Sequence, residues 1–140
     1  MKKDKVFCFH HGWHFLLADE FPMQKALEKH KDKNGRCFYE LDYIEENWER
    51  VTLPHTFNDT DLFRDRIKDA GSGQKRTAVF YRNYLTVPKE YCGQKVLIEF
   101  EGIRQTCYLY VNGKMVGYVE NGVAPFGVDL TPFIDYDKPN

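Results

Sequence analysis

The dipeptide Asn112-Gly113 constrains this chain more than any other feature, because both residues accept the positive φ that a two-residue type I′ hairpin turn demands. Tyr108 to Val111 leads into it and Met115 to Val119 leads away, so the two runs are predicted to pair as antiparallel strands. Just upstream, Val96, Ile98 and Phe100 alternate with Leu97 and Glu99, the period of a strand with one face on a core. A second turn signal, Asn121-Gly122, precedes Phe126-Gly127-Val128-Asp129-Leu130. Residues 95–131 therefore read as antiparallel β-sheet.

The rest of the chain has the same texture. Val6 to Phe9 and Trp13 to Ala18 read as one or two strands bent at Gly12. Pro22 to Lys33 carries Met23, Ala26, Leu27 and His30 at helical spacing, and Asn34-Gly35 would end that helix. Trp48 to Leu53 reads as a strand stopped by Pro54. Asn58 to Thr77 is polar, lacks apolar periodicity, and reads as a long loop. Its Gly71-Ser72-Gly73 is not a phosphate loop, since no Gly-Lys-Ser/Thr follows. Val79 to Val87, Lys95 to Phe100, Thr106 to Val111, Lys114 to Val119 and Phe126 to Leu130 complete the strands. Seven or eight short strands between turns predict an all-β sandwich with one short helical decoration.

With 140 residues, 42% of them hydrophobic, the chain can fold as a single domain burying roughly 68% of its unfolded surface. Its 20 basic and 21 acidic residues are interspersed, so no basic face points to nucleic acid and no charged patch to a membrane. No run approaches the roughly 20 apolar residues of a spanning helix. After Met1-Lys2-Lys3, the histidines at 10, 11 and 14 interrupt any signal-peptide core, which gives a cytoplasmic expectation. Cys8, Cys37, Cys92 and Cys107 form no Cys-x-x-Cys pair and are expected as free thiols.

Several blocks carry a resemblance. Trp48-Glu49-Arg50-Val51-Thr52-Leu53-Pro54-His55-Thr56-Phe57-Asn58 is similar to a Trp-x-x-Val-x-Leu-Pro-His-x-x-Asn pattern. Phe80-Tyr81-Arg82-Asn83-Tyr84-Leu85-Thr86-Val87-Pro88 is similar to a Tyr-Arg-x-x-Phe-x-Val-Pro strand. Phe100-Glu101-Gly102, Val111-Asn112-Gly113, Val116-Gly117-Tyr118 and Pro125-Phe126-Gly127-Val128-Asp129-Leu130-Thr131 follow in order. Together they resemble the N-terminal sugar-binding domain of glycoside hydrolase family 2, which includes β-galactosidases, β-glucuronidases and β-mannosidases. The resemblance implies a jelly-roll sandwich of the galactose-binding-domain-like type. The family pattern continues with a Leu-x-Val-x-Val strand that does not follow Asn140. The chain is therefore expected to be a fragment of a longer glycosidase, its open edge a place for self-association.

The resemblance also bounds the chemistry. Family 2 enzymes are retaining glycosidases needing two carboxylates about 5–5.5 Å apart, which the family carries on a downstream (β/α)₈ barrel. No catalytic residue, metal or cofactor is carried over to this chain. Its implied partners are that barrel and, through the parent enzyme, a β-glycoside. What is carried over is Asn58, whose amide would hydrogen-bond a sugar hydroxyl in the assembled parent. The alternative is that Asn58-Asp59 simply forms a turn. His55 is expected to fix the strand exit rather than to touch sugar. Glu101 would tie down the following turn, with Arg104 as its partner. Asp129 would accept backbone hydrogen bonds. His10-His11-Gly12-Trp13-His14 lacks the cysteine or carboxylate spacing of a zinc site. Trp13, Trp48, Tyr108, Tyr110 and Tyr118 leave open a free-standing carbohydrate-binding module that stacks sugars on exposed rings. A protein-interaction sandwich is the third reading.

Overall fold

A computed structural model describes residues 5–18, 20, 22–55, 78–103, 105–122 and 125–140. They contain seven strands, all paired antiparallel, and one short α-helix, in two compact units. The all-β expectation holds.

The first unit comprises Met1–His30 and Glu45–Asn83. Its sheet has the order β2-β1-β3, with β1 at Trp13–Leu17, β2 at Glu49–Val51 and β3 at Val79–Arg82. Alternation gives β1 its two faces: Trp13 and Phe15 are buried and cluster with Val51, while Phe9, Leu53, Val79 and Tyr81 pack around them. The opposite face carries His14, Leu16, Phe80 and Arg82, since His14 pairs with Arg82 and Leu16 with Phe80. Gly12, with φ near 79°, makes the bend before β1, where Asn83 Nδ2 also donates to the His11 carbonyl.

Two expectations are corrected in this unit. Val6 to Phe9 form no strand, and Val6 and Phe7 lie exposed. The helix α1 is confined to Met23–Lys29 rather than running to Lys33. Only Ala26 buries itself, and no side chain caps the N-terminus at Pro22. At its end the His30 ring lies edge-on to Phe80, and His30 Nε2 shares a 2.7 Å hydrogen bond with the Ala18 carbonyl. That contact fixes the chain in a non-helical conformation before Asn34-Gly35 is reached.

The second unit comprises Lys31–Ile44 and Tyr84–Asn140. Strand β4 (Leu97–Phe100) pairs with β7 (Phe126–Asp129), and β5 (Gln105–Val111) pairs with β6 (Lys114–Gly122). Val111 faces Lys114 across a turn in which Asn112 and Gly113 have φ of 51° and 83°, the two positive values predicted. The second turn signal is overridden. Asn121 and Gly122 continue β6, with Gly122 opposite Gln105, so they form paired strand rather than the predicted turn. A bulge between Gln105 and Cys107 adjusts the register there.

Val87, Leu130 and Ile134 form the core of this unit, with Leu85, Val96, Ile98 and Val128 packed on it. Gly117 lets β7 approach: a Cβ there would lie 2.9 Å from both Phe126 Cζ and Val128 Cγ2. Residues 137–140 form no named strand but are tied into this unit. Asn140 exchanges backbone hydrogen bonds with Leu85 at 2.8 and 3.0 Å. Its side-chain oxygen accepts from Asn112 Nδ2 and the Asp135 amide, and its Nδ2 reaches the carbonyls of Leu85 and Asp135. Asp32 organises the 31–44 loop similarly, its carboxylate accepting from the backbone amides of Asn34, Arg36 and Ile44. All four cysteines are free.

Candidate functional site: the exit of the second strand

The segment Glu45–His55 is fastened by two neighbouring residues of β3. At its start, Arg82 Nε donates to Glu45 Oε1 at 2.7 Å, with side chains only 10% and 15% exposed. Trp48 stacks on Phe80 on that same face, at a centroid distance of 6.2 Å. The segment then becomes β2, the edge strand beside β1, with Trp13 opposite Val51 and Phe15 opposite Glu49. Beyond it the Leu53 amide donates to the His10 carbonyl.

At its end the segment emerges on the other face. His55 Nδ1 lies 2.9 Å from the Tyr81 hydroxyl, and its ring meets Phe15 edge-on at 4.8 Å. Phe15 and Tyr81 are themselves opposed across β1 and β3, with rings 5.1 Å apart. Burial pushes the Tyr81 phenol above its ordinary value, so it stays protonated at neutral pH. Successive residues of a strand face opposite ways, which is why Tyr81 and Arg82 can hold the two ends on two faces. The expected role of His55 in fixing the strand exit is thus met by a specific hydrogen bond.

The other sequence candidates fall as follows. Asn58 lies outside the described residues, as do Arg104 and Gly71-Ser72-Gly73. Glu101 is exposed after β4. Asp129 Oδ1 accepts from the Thr131 amide at 3.0 Å, and hydrogen bonds from the Thr131 hydroxyl and amide hold its carboxyl below the usual range. His10 and His11 are exposed in the approach to β1, and His14 sits within β1 on the face away from Trp13. No group of three potential metal ligands occurs among the described residues. Trp13 is core, its indole nitrogen donating to the Phe9 carbonyl. Tyr108 and Tyr118 remain 39% and 46% exposed and oppose each other across the hairpin, their rings inclined by 42°. Tyr110 instead stacks on Tyr39 at 4.5 Å. An open depression of about 490 Å³ lies beside that stack, lined by Arg36, Tyr39, Glu40, Asp42, Asn112 and Gly113.

Sequence reasoning gave no role to Arg82 or to the Tyr81 hydroxyl. The signal was present: an arginine alternating with Phe80 in an inward-facing register is a charge that must find a partner.

A β-sheet fold with an anchored Leu-Pro-His exit defines a class, and the comparisons give its family. The profile of the sugar binding domain of glycosyl hydrolases family 2 matches residues 38–139, and the chain belongs to that family. It is 40% identical over 110 residues to a β-glucuronidase of Formosa agariphila, an alignment covering 76% of this chain and 11% of the relative. It is 36% identical over 98 residues to a β-galactosidase of Thermoanaerobacter pseudethanolicus, covering 70% and 12%. Among solved structures, a family 2 β-glucuronidase superposes with a TM-score of 0.68 at 31% identity, over 94% of this chain and 13% of that one. The chain thus spans about a tenth of the length of these relatives.

Proposed function

We propose that this chain is the non-catalytic N-terminal domain of a retaining β-glycosidase that hydrolyses a β-glucuronide or β-galactoside. It packs on a catalytic barrel and forms one wall of the sugar pocket, and Asn58 contributes an amide to a sugar hydroxyl there. The observation that carries this reading is the family match over residues 38–139, joined to an alignment that takes in 76% of this chain but only 11% of the relative. The doubly fastened Glu45–His55 segment supports it, because a pocket wall needs a chain direction held by the scaffold.

The test is to express the full-length parent from its source gene and assay p-nitrophenyl β-glucuronide and β-galactoside. Asn58→Ala should lower kcat/KM by about tenfold, the loss of one hydrogen bond to substrate. An unchanged kcat/KM would remove the Asn58 contact; hydrolysis of neither substrate would remove the enzymatic reading. The exposed Tyr108 and Tyr118 support a second reading, a free-standing sugar-binding module, which requires the 140-residue chain alone to bind oligosaccharide.

A further inference from the structure

His55 is held on three sides and used on only one of its two nitrogens. Nδ1 is engaged by the Tyr81 hydroxyl at 2.9 Å, Phe15 closes one edge at 4.8 Å, and the Tyr81 ring lies 5.8 Å away at a steep angle. The ring is partly buried, yet Nε2 has no partner among the described residues. Fixing strand exit alone would need only the Nδ1 bond. An imidazole immobilised in this way also holds its second nitrogen in a set direction, with the ordering entropy already spent in folding.

We propose that His55 presents Nε2–H as a hydrogen-bond donor to a hydroxyl or carboxylate oxygen of the sugar, with Tyr81 as its positioning residue. In this assignment the Tyr81 hydroxyl, 2.9 Å from Nδ1, is the donor of that bond, so the imidazole proton lies on Nε2 and sets the polarity of the free end. This rests on the pocket-wall reading above and assigns that wall its second polar group, on residues whose geometry is described.

Two substitutions separate the halves of the imidazole. Asparagine places a polar atom where Nδ1 stands, keeping a partner for Tyr81 while deleting Nε2. Glutamine supplies an N–H near Nε2 while losing the atom at Nδ1. In the full-length parent, His55→Asn should lower kcat/KM by about tenfold with little change in melting temperature, and His55→Gln should retain most activity. A purely structural histidine predicts the reverse order, so an unaffected His55→Asn or a more damaged His55→Gln overturns the proposal. Tyr81→Phe keeps the ring and removes only the hydroxyl, so it stands in should His55→Asn fail to fold. It should raise KM severalfold, and an unchanged KM and kcat would also overturn the assignment. A wild-type parent that cleaves neither glycoside removes the pocket-wall reading and this one together; an active parent insensitive at His55 removes this one alone.

Discussion

Adding a single methyl group at Gly117 tests how the second unit is packed. The new Cβ would sit 2.9 Å from Phe126 Cζ and from Val128 Cγ2, nearer than carbon atoms tolerate, while Leu109 Cβ at 3.7 Å is an ordinary contact. Neither close neighbour is free to retreat. Phe126 stacks on Phe100 at 6.2 Å, and Val128 is tied into β7 opposite Ile98. Overpacking of this kind costs about 1–3 kcal/mol. Alanine in place of glycine within a strand recovers about 0.5–1 kcal/mol of backbone entropy. The net expectation for Gly117→Ala is a loss of about 1–2 kcal/mol, or roughly 3–8 °C in melting temperature for a chain of this size. Urea unfolding followed by circular dichroism measures it directly. Val128→Ala removes one of the two clashing groups, so the double variant should lose less than the sum of the single ones. A Gly117→Ala chain as stable as wild type would refute the close approach of β7 to β6.

Two further perturbations address charge. Arg82→Ala removes the guanidinium facing a Glu45 carboxylate that is only 15% exposed, and should cost about 3 kcal/mol in denaturant unfolding; replacing both by apolar residues of similar size should cost much less. Asp32 has its carboxyl lowered below the ordinary 3.8: partial desolvation pulls it up, and the amides of Arg36, Ile44 and Asn34 outweigh that. Its folded value lies below its unfolded one, so its support is full above about pH 4 and is lost as pH falls through the folded value. Asp32→Asn should therefore flatten the acid limb of a stability-against-pH curve while changing its shape little near neutrality, and an unchanged acid limb would contradict the three-amide geometry.

The sheet was legible because its signals are local. Alternation at 96–100 and the Asn112-Gly113 pair specify strand and turn without reference to anything distant. The failures arose where distant partners decide. Asn121-Gly122 is a good turn signal overridden by the β5–β6 ladder, and α1 stops early because His30 is drawn to Ala18 and Phe80. Val6 to Phe9 has strand composition yet forms no strand. Of the site, the Leu-Pro-His-x-x-Asn block was visible as a pattern, and the hydrogen bond at His55 was foreseen. Its partner 26 residues away was not, nor was the pairing of Glu45 with Arg82 across 37 residues. Spacing along a chain carries no information about such pairs until the strand register is known.

The passage of residues 45–55 from one face of the first sheet to the other has a consequence for how this region can vary. A strand at a sheet edge usually tolerates sliding by two residues, since alternation is preserved and only its ends are disturbed. Here the ends are buttoned to adjacent positions of a strand on the far side of β1, one above the sheet and one below. A slide that eased one button would tear the other, and no tilt of the segment satisfies both. The length from Glu45 to His55 is therefore a ruler. Insertions or deletions inside it should be rejected even where every hydrophobic position is kept, whereas paired exchanges at 45 with 82, or at 55 with 81, can proceed independently.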